Sequence, residues 1–246
     1  MPNSNIEILQ IVVKGLGELK EEMVFVGGTV AELYACNPDV SEIRPTQIVD
    51  CVVEISSRFA HAKLEKDLRA KGFTNDTSKG APICRWIYRD IKVDVMPSDS
   101  NIIGFTNKWY DEGIENKIKK TLPNGTDIYI FSPEYYLAAK FEAHKNRGGK
   151  DLRQSHDFED IVYILDNCSE ILKNINNTNA TIKEYLSKEC QNLLNKNSLI
   201  EGIESVLPFG SNSDSTERIH DFQLKAIYSY RNLFAETDKE KILDLR

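Results

Sequence analysis

Short apolar runs fill the first half of the chain, and apolar positions at helical spacing fill the second. Ile6 to Leu19 follows a period near 3.6 residues, which predicts a helix whose second half Gly15 and Gly17 weaken. Met23-Val24-Phe25-Val26 is continuous and short, as in a buried strand, and runs straight into Gly27-Gly28-Thr29. From Val30 to Cys36 the spacing turns helical. Arg44-Pro45-Thr46 ends a polar loop, and Ile48 to Ile55 then supplies β-branched and apolar residues, predicting a central strand entered from a turn. Arg58 to Lys71 places Ala60, Leu64 and Leu68 in an i, i+4 row, with Gly72 as a helix-ending glycine. Ile83–Tyr88 and Ile91–Met96 predict a hairpin turning at Arg89-Asp90. A helix over Glu112–Lys120, a turn at Pro123-Asn124-Gly125 and a strand over Asp127–Ile130 complete this half.

Beyond that strand the chain changes character. Ser132-Pro133 is a good helix start, with Ser132 as N-cap and Pro133 in the first turn, and it predicts a helix over Glu134–His144. A second helix opens at Ser155-His156-Asp157, with Phe158, Ile161, Val162 and Leu165 on one stripe. Thr181–Leu194 and Glu217–Phe234 read as further helices, with Asn174–Asn179 as a linker and Leu207–Ser215 as a loop. The expected fold class is α+β, with an α/β core over residues 1–131 and a helical region over 132–246.

At 246 residues the chain can bury a sizeable core. Its 31 Lys and Arg against 38 Asp and Glu give a net charge of −7, which argues against nucleic-acid binding over the whole surface. The five cysteines (Cys36, Cys51, Cys84, Cys168, Cys190) show no metal-ligand spacing, and the four histidines form no His-x-x-x-His pair, so a zinc enzyme is not expected. An odd cysteine count, no signal-peptide pattern and no bilayer-length apolar run lead to the expectation of reduced thiols in a cytoplasmic protein.

The candidate chemistry lies in acids on strands that otherwise look buried. Side chains repeat every two residues on a strand, so Ile48, Asp50, Val52 and Glu54 share one face. Asp94, in Ile91–Pro97, has a similar setting, and two such acids could hold a divalent cation. Strand, diglycine and helix start together suit a phosphate, because glycine lets the backbone come close to an anion; an ordinary tight turn has the same pattern. Lys140, Lys145, Arg147, Lys150 and Arg153 form a basic run that could meet phosphates, although most charge runs are solvated faces. His144 and His156 read as structural or surface residues, and Asp160 as an acid favoured by a helix N-terminus. Packing is the assignment for Trp86, Trp109, Tyr135 and Tyr136.

Six stretches in register extend this picture. They are Val26-Gly27-Gly28-Thr29, Arg44-Pro45-Thr46 with Val49-Asp50, Val93-Asp94-Val95-Met96-Pro97, Ser132 to Ala143, Arg147 to Asp151, and Ser155 to Ile161. Together they resemble the bacterial nucleotidyltransferases of the DNA-polymerase-β-like superfamily, in particular the AbiEii-like family, over roughly residues 23 to 166. The resemblance implies a mixed sheet with flanking helices and a helical region that closes over a nucleotide. It also implies transfer of a nucleoside monophosphate from an NTP to a hydroxyl of an RNA end (tRNA or another RNA), a protein or a small molecule, and a toxin–antitoxin setting. By the same resemblance Gly27, Gly28 and Thr29 hold the triphosphate, and Asp50 and Asp94 hold Mg²⁺, or Mn²⁺ in its place. Lys140 neutralises triphosphate charge, and Asp157 matches an acid with a catalytic or structural role.

One position departs from the family. Its central strand reads Asp-x-Asp, and Ile48 stands at the first of these acids. Isoleucine offers no ligand, and Glu54 lies roughly 13 Å along the strand from Asp50. Three readings follow: an enzyme with single-metal chemistry, a catalytically silent fold that binds nucleotide, RNA or protein, or a site altered deliberately.

Overall fold

The computed structural model describes residues 4–36, 43–147, 151–208 and 213–228. The chain divides into two compact units. Met1–Tyr34 and Pro38–Tyr136 form the first, and Ala35–Asn37 and Leu137–Arg246 the second.

The first unit is built on one mixed seven-stranded sheet. Its strands are β1 (Met23–Val26), β2 (Ile48–Val53), β3 (Thr74–Asn75), β4 (Arg85–Tyr88), β5 (Ile91–Pro97), β6 (Lys117–Thr121) and β7 (Asp127–Phe131), in the order β3-β4-β5-β2-β1-β7-β6. β2 is the central strand, as its β-branched run predicts. It pairs parallel to β5 and antiparallel to β1, and β1 pairs parallel to β7. Helix α1 (Asn5–Leu16) buries Leu9, Val12, Val13 and Leu16, and Ser4 caps its start. Helix α2 (Arg58–Ala70) buries Leu64 and Leu68, two of the three residues of the predicted row, while Ala60 is only partly covered.

Three local expectations are corrected. The segment after the diglycine is a 3-10 run, Gly28–Tyr34, and not an α-helix. The segment expected as a helix over Glu112–Lys120 divides. Following the short α3 (Ser100–Ile103), helix α4 covers Tyr110–Glu115, and Lys117–Thr121 is the edge strand β6. Side chains along β6 alternate between exposed and half-buried, so its lysines sit where charge protects an open sheet edge. The third concerns Asn174–Asn179, much of which is helical, as described below.

The second unit is helical throughout its described length, apart from loops. Helix α5 (Pro133–Arg147) carries the chain into it from the first unit. There follow α6 (His156–Asn167), α7 (Ile171–Asn177), α8 (Ala180–Leu194), α9 (Leu199–Val206) and α10 (Ser213–Glu217). The expected linker at Asn174–Asn179 is therefore mostly the end of α7, because Ile171 and Ile175 lie one turn apart and are both fully buried. Phe158, Ile161, Ile164, Leu186, Cys190 and Ile203 fill the core of this unit. The predicted last helix, Glu217–Phe234, begins as a π-helical turn over Arg218–Leu224, and its final residues lie outside the described ones. The architecture is α+β, a mixed sheet with flanking helices followed by a helical C-terminal region. Among the described residues no helix is long and apolar enough to cross a membrane.

Candidate functional site

In the first unit the two predicted acids become neighbours through strand register. Asp50 on β2 and Asp94 on β5 are direct Cα partners in the parallel ladder, so their side chains leave the sheet on the same face. The row continues on both sides, with Arg85 on β4 opposite Asp94 and Val26 on β1 opposite Asp50. Gly27 follows Val26 directly and has a φ of +77°, in the left-handed region that favours glycine. A Cβ there would lie 2.1 Å from Asp50 Oδ2, so the glycine lets the turn close onto the carboxylate.

Several residues fix this turn and the entry to β2. Tyr136 Oη donates to the Gly27 carbonyl at 3.0 Å, and its ring packs 4.8 Å from that of Tyr34. Tyr34 Oη donates to the Phe131 carbonyl at 2.8 Å. The Asn5 side chain, buried at the start of α1, donates to the Arg44 carbonyl and accepts from the Thr46 N–H, tying down the Arg-Pro-Thr loop ahead of β2. Thr29 is fully buried, and its hydroxyl has no hydrogen-bond partner among the described residues.

Arg85 was not expected among the site residues, although its position can be counted from the sequence. It grips Asp94 with two parallel bonds, Nε to Oδ1 and Nη2 to Oδ2, both 2.7 Å, where both side chains are largely covered. The hydrogen bond to Asp94 raises the Arg85 pKa further, and the charges of Asp94 and Asp50 act in the same direction. Burial, followed by the charge of Asp94, pushes the adjacent Cys84 thiol up to about 12. Burial, followed by the charges of Asp50 and Asp94, pushes the Cys51 thiol well above its ordinary value, so neither is a nucleophile near neutral pH.

The donor set decides what metal these residues fit. Ile48 lies two residues before Asp50 on the same strand face and offers no oxygen. Asp94 has both oxygens on Arg85. Among the described residues no three His, Cys, Asp or Glu side chains are grouped to hold a metal ion. Such a set fits one hard divalent cation that brings phosphate oxygens and waters with it, and does not fit a pair.

The second unit brings together the other two predicted residues. Lys140 Nζ lies 3.6 Å from Asp157 Oδ1 and 2.5 Å from Asp160 Oδ2, with all three side chains nearly covered. Asp160 is therefore the buried partner of a lysine rather than simply an acid at a helix start. Arg147 Nε reaches Asp157 Oδ2 at 3.3 Å. Lys145 pairs with Glu142 and Glu189, and Arg153 with Asp151 and Glu201. The described members of the basic run are thus each matched by carboxylates, while Lys150 lies outside the described residues. His144 is buried with Nδ1 2.7 Å from Ser155 Oγ, which also accepts from the Phe158 N–H as the cap of α6. His156 is exposed. Trp86, Trp109, Tyr135 and Tyr136 are all core residues.

No family model matches the chain, and no curated protein matches it. Among the solved structures similar to it are two at low identity. The antibiotic-resistance factor ANT(2'')-Ia is 11% identical over 96% of each chain, with a TM-score of 0.42. A candidate nucleotidyltransferase from H. pylori is 12% identical over 94% of this chain and 96% of its own, with a TM-score of 0.47. With identities this low and TM-scores under 0.5, neither similarity decides what this chain does, and its own residues must.

Proposed function

We propose that this chain is a nucleotidyltransferase that moves a nucleoside monophosphate from an NTP to a hydroxyl acceptor, working with a single divalent cation. One observation carries the reading: Asp50 and Asp94 meet in register on parallel strands, and the Gly27 turn closes directly onto Asp50. Such an arrangement sets a close backbone approach for phosphate beside a carboxylate, Asp50, for a metal.

In the reaction the acceptor hydroxyl gives up its proton to solvent, its oxygen attacks the α-phosphorus, the bond from that phosphorus to the bridging oxygen breaks, and pyrophosphate leaves. Asp50 would hold Mg²⁺ or Mn²⁺, with Asp94 as the carboxylate beside it, and the cation would supply charge stabilisation to the phosphates. Gly27, Gly28 and Thr29 would line the phosphate path, and the buried Thr29 hydroxyl offers a hydrogen bond not used among the described residues. Lys140 would orient Asp157 through their ion pair. The acceptor class is an RNA end, a protein hydroxyl or a small molecule, in keeping with the AbiEii-like resemblance.

A second reading is favoured by Ile48 and the Arg85–Asp94 pair. In it the fold binds a nucleotide, an RNA or a protein partner without turnover. The test of nucleotide binding is thermal unfolding with each NTP, with Mg²⁺ and with chelator. The proposed function predicts that a saturating NTP raises the melting temperature only when Mg²⁺ is present, by an amount that grows with ligand concentration. No shift with any NTP in Mg²⁺ overturns nucleotide binding in both readings.

A further inference from the structure

The pairing of Arg85 with Asp94 has a consequence for how many cations the site holds. Across the sheet face run two adjacent rows. One places Arg85, Asp94, Asp50 and Val26 side by side, and the other places Ile87, Lys92 and Ile48. The four ionisable side chains of these rows, two acids and two cations, sum to zero charge. Lys92 stands directly opposite Ile48, and Arg85 directly opposite Asp94. Lys92 is exposed, so it is Arg85, held on both oxygens of Asp94, that takes the place a second dication would need.

We infer that Arg85 is the resident counter-cation of Asp94 and withholds that carboxylate from metal binding, so that the site takes one divalent ion and not two. This inference rests on the proposed nucleotide site and deepens it. The geometry is specific to arginine. A guanidinium fork delivers two parallel N–H bonds to one carboxylate, and at 2.7 Å each the pair is tight and largely dehydrated. For Asp94 to ligate a metal, both bonds must break and the guanidinium must remain beside a dication in a poorly hydrated place. Loss of one partner of a covered ion pair leaves the other charge uncompensated, which resists that exchange. A lysine at the same position would keep the charge but hold the carboxylate at a single point. Arg85 is therefore a positioning residue: it acts on the metal set through Asp94.

The inference is tested by Mn²⁺ binding to the full chain, followed by electron paramagnetic resonance without nucleotide. Arg85→Gln should raise Mn²⁺ affinity about tenfold or more, because it frees Asp94 beside Asp50. Asp94→Asn in the Arg85→Gln background should remove that gain, which assigns it to Asp94. Mn²⁺ affinity of Arg85→Gln equal to that of the unaltered chain overturns the inference, as does a gain that survives Asp94→Asn. Should Arg85→Gln lack a native melting transition, Arg85→Lys replaces it. A gain of about threefold then supports the inference, and no gain overturns it. With ATP added, the unaltered chain should hold one Mn²⁺, and a stoichiometry of two contradicts the inference. Retention of labelled ATP on the same samples separates the two ideas. Failure to bind ATP with Mn²⁺ counts against the proposed function, while the nucleotide-free comparison still decides the role of Arg85.

Discussion

At Gly27 a single backbone angle and a single missing atom place the diglycine turn against Asp50. Substitution by alanine introduces two faults: a side chain at φ +77°, which costs roughly 1–2 kcal/mol, and a methyl group 2.1 Å from a carboxylate oxygen. Gly27→Ala should therefore unfold at lower urea concentration and lose the NTP-dependent rise in melting temperature, and retention of the full rise would show that the turn does not matter. His144 gives a prediction in pH. Burial, and next the nearby Lys196 charge, hold its imidazole below the ordinary value of 6.5, although Asp157 and Glu189 pull the other way. The unfolded chain then takes up a proton before the folded one does. Stability tied to this ring is complete above pH 6.5 and is lost as pH falls below that value toward the folded pKa. The urea midpoint of the unaltered chain should drop between about pH 7 and pH 5 more steeply than that of His144→Gln. Parallel pH profiles would exclude the ring as the source.

The same contrast between local and distant partners explains which elements can be read from the chain. The hairpin is legible about its turn, although its first strand begins at Arg85 and not at Ile83 as expected. From the two-residue turn Arg89-Asp90, whose φ angles of 48° and 66° are those of a tight primed turn, pairing counts back from Tyr88–Ile91 to Arg85–Asp94. The central strand and the helix start at Ser132-Pro133 are equally local. β6 is not, because Lys117-Ile-Lys-Lys-Thr has the composition of an exposed helix and becomes a strand only by pairing with β7. Asp160 was hidden for the same reason: its partner Lys140 lies 20 residues earlier on another helix. Within the helical unit, the Lys140–Asp160–Asp157 cluster joins α5 to α6. Lys140→Met leaves two buried carboxylates without their lysine and should lower stability by about 3–5 kcal/mol in denaturant unfolding. Lys140→Met with Asp160→Leu should recover a substantial part of that loss, whereas an effect of Lys140→Met within about 0.5 kcal/mol would mean that the cluster is not structural.

On the scale of the whole molecule, a chain of net charge −7 would have to bring charge compensation to a small region in order to act on a triphosphate as proposed. In the first unit Asp94 carries its own arginine, and in the second the described lysines and arginines of the basic run are matched by carboxylates. Under the proposed function, both features would leave the nucleotide dependent on a cation that arrives with it. The α+β class, the two strand acids and the diglycine turn were legible because each is local in sequence, whereas the charge balance around them became visible only in the sheet register. Ile48 was visible from the start, and its meaning depends on turnover. The most direct measurement is transfer of α-labelled NTPs, each in turn, with Mg²⁺ or Mn²⁺ and total tRNA and cell lysate as acceptors, comparing the unaltered chain, Asp50→Ala and Ile48→Asp. The account predicts that the unaltered chain transfers label and that Asp50→Ala lowers the rate by a factor on the order of 100 or more, as expected for loss of a metal-holding carboxylate. Label transferred only by Ile48→Asp, or undiminished transfer by Asp50→Ala, would contradict it.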